Sequence, residues 1–199
     1  MFYDAGANEH GLRHDPIKAL IVPRPIGWIS TLSPEGVANL APYSFFNGVG
    51  TDPTIVMFAS ATAKDSQRNA EATGEFVCNF VTWDLKDAMN ATSASLPPGE
   101  SEFAAAGIET APSVMVKPPR VKAAPVHLEC VYLETVRPKT RAGRKHDYEI
   151  VLGEVVGVHI DDTFIHDGMV DVAAMRPVAR LGFHDYAVVD EVFSLRRPR

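Results

Sequence analysis

Runs of β-branched and aromatic residues follow one another at hairpin spacing along this chain, parted by turns and short helical stretches, and that succession most restricts its fold. Residues 26–32 lead into Ser33-Pro34-Glu35-Gly36, which supplies turn chemistry, and residues 37–41 resume an apolar pattern, so a β-hairpin is expected. Asp52-Pro53 breaks the chain before Thr54-Ile55-Val56-Met57-Phe58-Ala59-Ser60, whose near-continuous hydrophobicity predicts a central strand covered on both faces. Residues 64–73 turn to polar helix formers, with Gly74 where a helix end favours a left-handed residue. Residues 76–81 return to strand character. Thr82 is placed to N-cap a helix running from Trp83 towards Ser95 and stopped by Pro97-Pro98-Gly99, and residues 101–107 add a helical turn. Val126, Leu128, Cys130 and Tyr132 alternate with His127, Glu129, Val131 and Leu133, and residues 148–160 repeat the strand signal, which predicts a second antiparallel pair.

The fold class expected is β-rich, mainly antiparallel β with short helices, closed as a barrel. No G-x-G-x-x-G follows any strand, so a Rossmann unit is excluded. One domain over residues 1–199 is expected, with residues 1–22 as an N-terminal extension. Hydrophobic residues at 46% and charged residues at 22% describe a globular chain, and the formal charge of −6 argues against a nucleic-acid partner. The longest apolar stretches fall far short of the ~20 residues of a membrane helix, and the N-terminus lacks the features of a secretory signal, so a cytoplasmic location is expected. Cys78 and Cys130 each lie in an apolar run and read as free, buried thiols, too far apart for a C-x-x-C pair. His10 and His14 lack an H-E-x-x-H context and no G-x-S-x-G is present, which argues against a metal centre and a hydrolase.

Three segments carry candidate chemistry. The first contains Arg24, Trp28 and Thr31 and then Asn39-Leu40-Ala41-Pro42-Tyr43-Ser44-Phe45-Phe46-Asn47. Its aromatic rings offer flat walls, with Phe45 or Phe46 against a planar ring, while Ser44, Asn47 and Thr31 offer donors and acceptors to a polar edge. The second, Ser60 to Asn69, places Ser60, Lys64, Asp65 and Ser66 where a strand enters a helix. Free amides and the positive dipole end favour an anion there, Lys64 adds charge and Ser66 a hydroxyl, so a phosphate is the natural guest, with Arg68 in support. Asp65 is expected to turn away, to cap the helix or pair with a cation. The third runs from Arg176 to Tyr186, where Arg180 lies at the same site or at a partner subunit. The basic stretch from Arg137 to Lys145 reads as a solvated hairpin tip and the terminal Arg196-Arg197-Pro198-Arg199 as a loose tail.

The motifs RPIGWIST, NLAPYSFFNGV, KDSQRN before GEFVCNF, and the late PVARLG together resemble the flavin reductase-like, FMN-binding split-barrel family, whose longer members include flavoredoxin. The resemblance covers most of the chain. It implies a split barrel binding FMN at the interface of a homodimer, with Ser44 near the flavin ring and Lys64-Asp65-Ser66 near its phosphate. The implied activity is an NAD(P)H-dependent flavin reductase, taking hydride from NADH or NADPH at flavin N5 and passing electrons to a flavin or other small acceptor, with a monooxygenase component or redox protein as a further partner. It also implies that no side-chain acid or base is needed, and that His184 and Tyr186 border the nicotinamide. The alternative is an FMN-binding electron carrier fed by a protein partner. A pyridoxamine-phosphate-oxidase-like enzyme finds no matching motif.

Overall fold

The computed structural model describes residues 1–97 and 99–198. Pro98, in the expected helix-stopping turn, and Arg199, in the basic tail, lie outside the described residues. The main sheet has seven strands: β1 (Gly27–Leu32), β2 (Ala38–Tyr43), β3 (Phe46–Thr51), β4 (Thr54–Ala61), β5 (Glu75–Asn79), β6 (Val126–Val136) and β7 (Tyr148–Ile160). Their order is β2-β1-β5-β6-β7-β4-β3, and every neighbouring pair is antiparallel.

The two strands at opposite ends of that order, β2 and β3, are joined by Ser44 and Phe45 alone. Three Cα–Cα steps reach at most about 11 Å, whereas the edges of a flat seven-stranded sheet stand roughly 29 Å apart. The sheet must therefore curl until its edges approach. Ala59 of β4 reaches back to the link, its N–H donating to the Phe45 carbonyl at 2.8 Å.

Period-2 alternation along the strands divides the apolar residues into two cores. Ile29, Val56, Phe58, Phe76, Cys130 and Val151, from five of the strands, pack inside the curl. The neighbour of Ile29, Trp28, faces the other way and packs with Leu40, Met89, Phe103 and Val121 under the helices. Trp28 is fully buried, and its indole N–H donates to Thr92 Oγ1 at 2.8 Å. Cys78 and Cys130 are free and buried.

The expected first hairpin forms as β1 and β2, its turn held by the Gly36 N–H on the Ser33 carbonyl with Gly36 at φ +86°. The helix predicted from residue 64 is α1 (Asp65–Thr73), ended by Gly74 at φ +77°. Two expectations need correction. β4 lies one strand in from the edge, and its residues alternate between buried and half-buried, because only its inner face meets the barrel core. The helix expected from Trp83 towards Ser95 is a 3-10 turn (Trp83–Leu85) running into α2 (Lys86–Ala91), and the Thr82 side chain makes no capping bond. Residues 101–107 contain the short α3 (Glu102–Ala105). The late chain adds a small sheet in which Val178–Arg180 lies between Arg24–Pro25 and Tyr186–Val188. No helix among the described residues is long and apolar enough to cross a membrane.

A polar seam the sequence did not announce is buried on β6. Glu129, fully buried, accepts the N–H groups of Val114, Met115 and Val116 and a bond from His159 Nε2, so it fastens the 113–118 loop to the sheet. Burial alone would raise its pKa; the donors from Val114, His159 and Met115 hold it below the usual carboxylate range. Beside it, His127 bonds the Val121 carbonyl through Nε2 at 2.8 Å, and burial lowers its pKa to about 4. The unfolded chain takes up a proton near the usual 6.5 that the folded His127 resists until about 4, so its contribution to stability is complete above 6.5 and falls away as pH drops through that window. His127→Gln, which does not titrate, is expected to flatten the fall in denaturation midpoint between pH 6.5 and 4; an unchanged slope contradicts the assignment.

Candidate functional site

A cleft of about 560 Å³ opens where the β2–β3 link crosses between the sheet edges. Ser44 and Phe45 of the link form part of its wall, with Ala59 and Ala61 of β4 and Tyr148 at the start of β7. It continues in both directions. Past Pro42, Tyr43, Lys64 and Ser93 it joins a hollow of about 420 Å³ along the first turn of α1. Past Met89, Asn90, Arg180, His184 and Tyr186 it joins another of about 390 Å³ beside α2.

The first hollow has the chemistry of an anion site. The first amide bonded within α1 is that of Arg68, to the Lys64 carbonyl at 3.0 Å, so the amides of Asp65, Ser66 and Gln67 have no partner within the helix. They lie at its positive end. Thr62, at φ +64°, is a β-branched residue in the left-handed region, and it turns the chain sharply between β4 and α1. Its N–H is held by the Asp147 carbonyl at 2.9 Å, which ties the turn to the root of β7. Lys64 is exposed and has no ion pair among the described residues, while Asp65 pairs with Arg68. Asp65 thus takes the second of its two expected roles, and Arg68 is spent on it and on the Ala63 carbonyl.

Ser66 behaves differently from expectation. It is buried, and its hydroxyl donates to Asn39 Oδ1 at 2.8 Å. Asn39 in turn donates to the Glu102 carboxylate at 2.8 Å, which also accepts the Leu40 N–H at 2.9 Å. Thr31, also fully buried, accepts from Asn69 at 3.1 Å. These bonds lock α1 and α3 against β1 and β2 from behind, so Ser66 and Thr31 set the position of the helix start and Ser66 offers only its backbone amide forward. On the other side Gln67 donates to Glu149 at 2.6 Å, and Arg137 and Lys145 of the basic loop pair with the same carboxylate, whose pKa the Lys145 contact lowers.

The central cleft combines rings with positive charge. Phe45 stands edge-on to Tyr148 with ring centroids 5.5 Å apart, and Arg24 lies 5.7 Å from the Phe45 centroid. Arg24 is buried, its guanidinium donating to the carbonyls of Lys18, Ile21 and Leu181. It thereby gathers the N-terminal and C-terminal segments at the cleft. Arg180 is its partner in the strand register, and burial followed by that like charge lowers the Arg24 pKa. Lys18, Arg24, Lys64 and Arg180 border the cleft against the single carboxylate of Asp15. The Tyr43 hydroxyl, buried beside Ser60 and Ser66, makes no hydrogen bond of good geometry among the described residues, and burial raises its pKa against the opposing effect of those two hydroxyls.

Of the residues the sequence singled out, Arg24, Ser44, Lys64 and Arg180 border the central cleft, and Asp65 and Ser66 border the adjoining hollow. Five others do not reach either. Trp28 and Thr31 are in the interior; Phe46 covers Gly27, where a Cβ would meet its ring; Asn47 is exposed and caps the Gly48 N–H; and Ser60 is buried, bonded to the Thr62 carbonyl at 3.0 Å. The sequence did not point to Asp15, Lys18 or Tyr148, which border the cleft with Tyr43 of the first segment only when the sheet closes.

A family model for the flavin reductase like domain matches residues 19–174. The chain belongs to the flavin reductase-like family. A protein of Halalkalibacterium halodurans is 37% identical over 183 residues, covering 89% of this chain and 87% of the relative. Nitrilotriacetate monooxygenase component B from Bacillus cereus superposes with a TM-score of 0.90 at 29% identity, over 98% of each chain. A Shewanella frigidimarina protein described as a flavin reductase with a split barrel domain superposes at 0.85 with 25% identity, over 100% of both chains. The curled sheet is the split barrel of this family, and membership makes the chain a flavin-binding oxidoreductase. The cleft fits such a group: it offers flat rings, amides unbonded within the helix, an excess of cations and a buried hydroxyl that makes no hydrogen bond of good geometry among the described residues.

One close approach holds the cleft's outer rim. A Cβ added to Gly182 would lie 2.8 Å from the Cα of Ala19, in the single helical turn Ile17–Leu20. Gly182→Ala is expected to push that turn off the C-terminal loop and speed amide exchange over residues 15–21; unaltered exchange there would show that the contact is not what seats it.

Proposed function

We propose that the chain binds FMN in this cleft, works as a homodimer, and acts as an NAD(P)H-dependent flavin reductase that delivers electrons to a flavin or another small acceptor. The observation that carries the reading is the strand-to-helix turn at residues 62–66, where amides unbonded within the helix and Lys64, without an ion pair among the described residues, border a hollow continuous with the ring-lined cleft. A single helix start suits a terminal phosphate monoester.

Bound there, FMN supplies the hydride-accepting chemistry, and no side-chain acid or base is required. The chain's own residues bind, orient and polarise. Lys64 and the amides of residues 65–67 hold the phosphate. Phe45 and Tyr148 present apolar surface that keeps water from one side of the ring. Arg24 and Arg180 place fixed positive charge at the cleft, which favours a flavin that becomes more negative on reduction. His184 and Tyr186, between the cleft and the hollow beside α2, border the side a nicotinamide approaches.

Val131 and Leu133, two residues apart on β6 and both exposed, supply apolar surface for the partner subunit. The likeness to a monooxygenase component supports an oxygenase or redox protein as the consumer of reduced flavin. Two free, buried thiols suit a reducing cytoplasm.

Lys64→Ala is expected to weaken FMN binding by about 1.5–3 kcal/mol, the range for a hydrogen bond to a charged group; unchanged affinity in a fluorescence titration refutes the phosphate assignment. Anaerobic mixing of the FMN-loaded protein with NADH and with NADPH should bleach the oxidised-flavin absorbance promptly with at least one of them. Failure with both would replace the reductase by an electron carrier that a protein partner reduces.

A further inference from the structure

We propose that the hollow beside α2, of about 390 Å³, is a binding site for a planar aromatic carboxylate. Its position next to a flavin rests on the reading above; its own chemistry does not.

Trp83 is the unusual residue. It is 40% exposed at the head of the turn into α2, although an indole is among the most favourable side chains to bury. Its place is set by the backbone, through its N–H on the Arg176 carbonyl at 2.9 Å. Two cations attend the ring: Lys86 Nζ lies 4.5 Å from its centroid and the Arg176 guanidinium 5.4 Å. Tyr186, also bordering the hollow, carries Arg180 at 4.4 Å from its centroid, and the cross-strand pairing of Arg180 with Tyr186 fixes that pair. The hollow thus has two aromatic walls, each with a cation on its face. Asp87, the carboxylate beside it, is bonded to Lys86 at 2.9 Å with its side chain 88% exposed, so among the residues bordering the hollow the cations Lys86 and Arg180 outnumber the one carboxylate.

These features select one class of ligand. A flat ring stacks against indole and phenol faces, and cations held at those faces keep outward N–H groups for an anion at the ring's edge. A phosphate without a ring has the helix start on the far side of the cleft, and an uncharged ring leaves the cations unused. The volume falls within the ordinary range for small-molecule pockets. Arg180, His184 and Tyr186 are shared with the central cleft, so an aromatic acid seated here lies against the cleft's occupant.

The test is a titration of the purified protein, with and without FMN, with 2-naphthoate and its uncharged analogue 2-naphthalenemethanol, read by tryptophan fluorescence. Saturable quenching by naphthoate is expected. It should vanish in Trp83→Leu, which leaves only the buried Trp28, and weaken on the order of tenfold or more in Lys86→Met. The alcohol should bind on the order of tenfold more weakly than the acid. FMN affinity should be unchanged in both variants. Absence of quenching, equal binding of the alcohol, or an unaltered naphthoate affinity in Lys86→Met overturns the proposal. Naphthoate quenching in a protein that fails to take up FMN supports this site and contradicts the flavin reading alone.

Discussion

A two-residue connection between the strands at opposite ends of the sheet order is the constraint on which the molecule depends. Ser44 and Phe45 cannot span a flat sheet of seven strands, so closure of the barrel follows from connectivity before any side chain is considered. The same link is a wall of the cleft. Fold and site therefore share one cause: where the edges are drawn together by a linker, and not zipped by a ladder, a gap remains, and it is lined by whatever the linker and the neighbouring strand ends carry.

What they carry is arranged by charge. A chain with a net charge of −6 collects Lys18, Arg24, Lys64 and Arg180 around one opening. Arg24 is the organiser, since its buried guanidinium takes carbonyls from the segments before β1 and after Val178–Arg180 and so makes the rim out of parts of the chain 157 residues apart. Behind the opening, the Glu102–Asn39–Ser66 chain of hydrogen bonds holds α1 rigidly, so its first turn, with three amides unbonded within the helix, is held in place along the hollow.

Much of the fold could be read from local pattern. The turn Ser33-Pro34-Glu35-Gly36 needs a left-handed glycine and has one, and Gly74 ends α1 for the same reason. The lining of the cleft was readable where backbone chemistry decides it, as at Lys64, and unreadable where side-chain direction decides it. Ser66 has a helix-start hydroxyl that turns inward because Asn39, 27 residues earlier, is buried within reach. Phe45 and Phe46 are indistinguishable in sequence, but the link interrupts the strand alternation, and Phe46 closes over Gly27 while Phe45 faces the cleft. Trp28 lies in the motif most suggestive of a ring-binding site, yet β1 is covered on both faces and its indole belongs to the core. The helix after Thr82 stops at Ala91, short of Ser95, because Leu85, Ala88 and Met89 pack on the core whereas residues 93–95 are exposed and hold no further turn against it.

The central claim is that the closing link and the start of α1 grip the two ends of one ligand. Electron density from crystals grown with FMN tests it most directly. The account predicts the phosphate within hydrogen-bonding distance of the amides of residues 65–67 and of Lys64 Nζ, with the ring lying against Phe45 and Ser44. A phosphate bound instead to the basic loop of residues 137–145, or a ring stacked on Trp83 with the cleft behind the link empty, would contradict it.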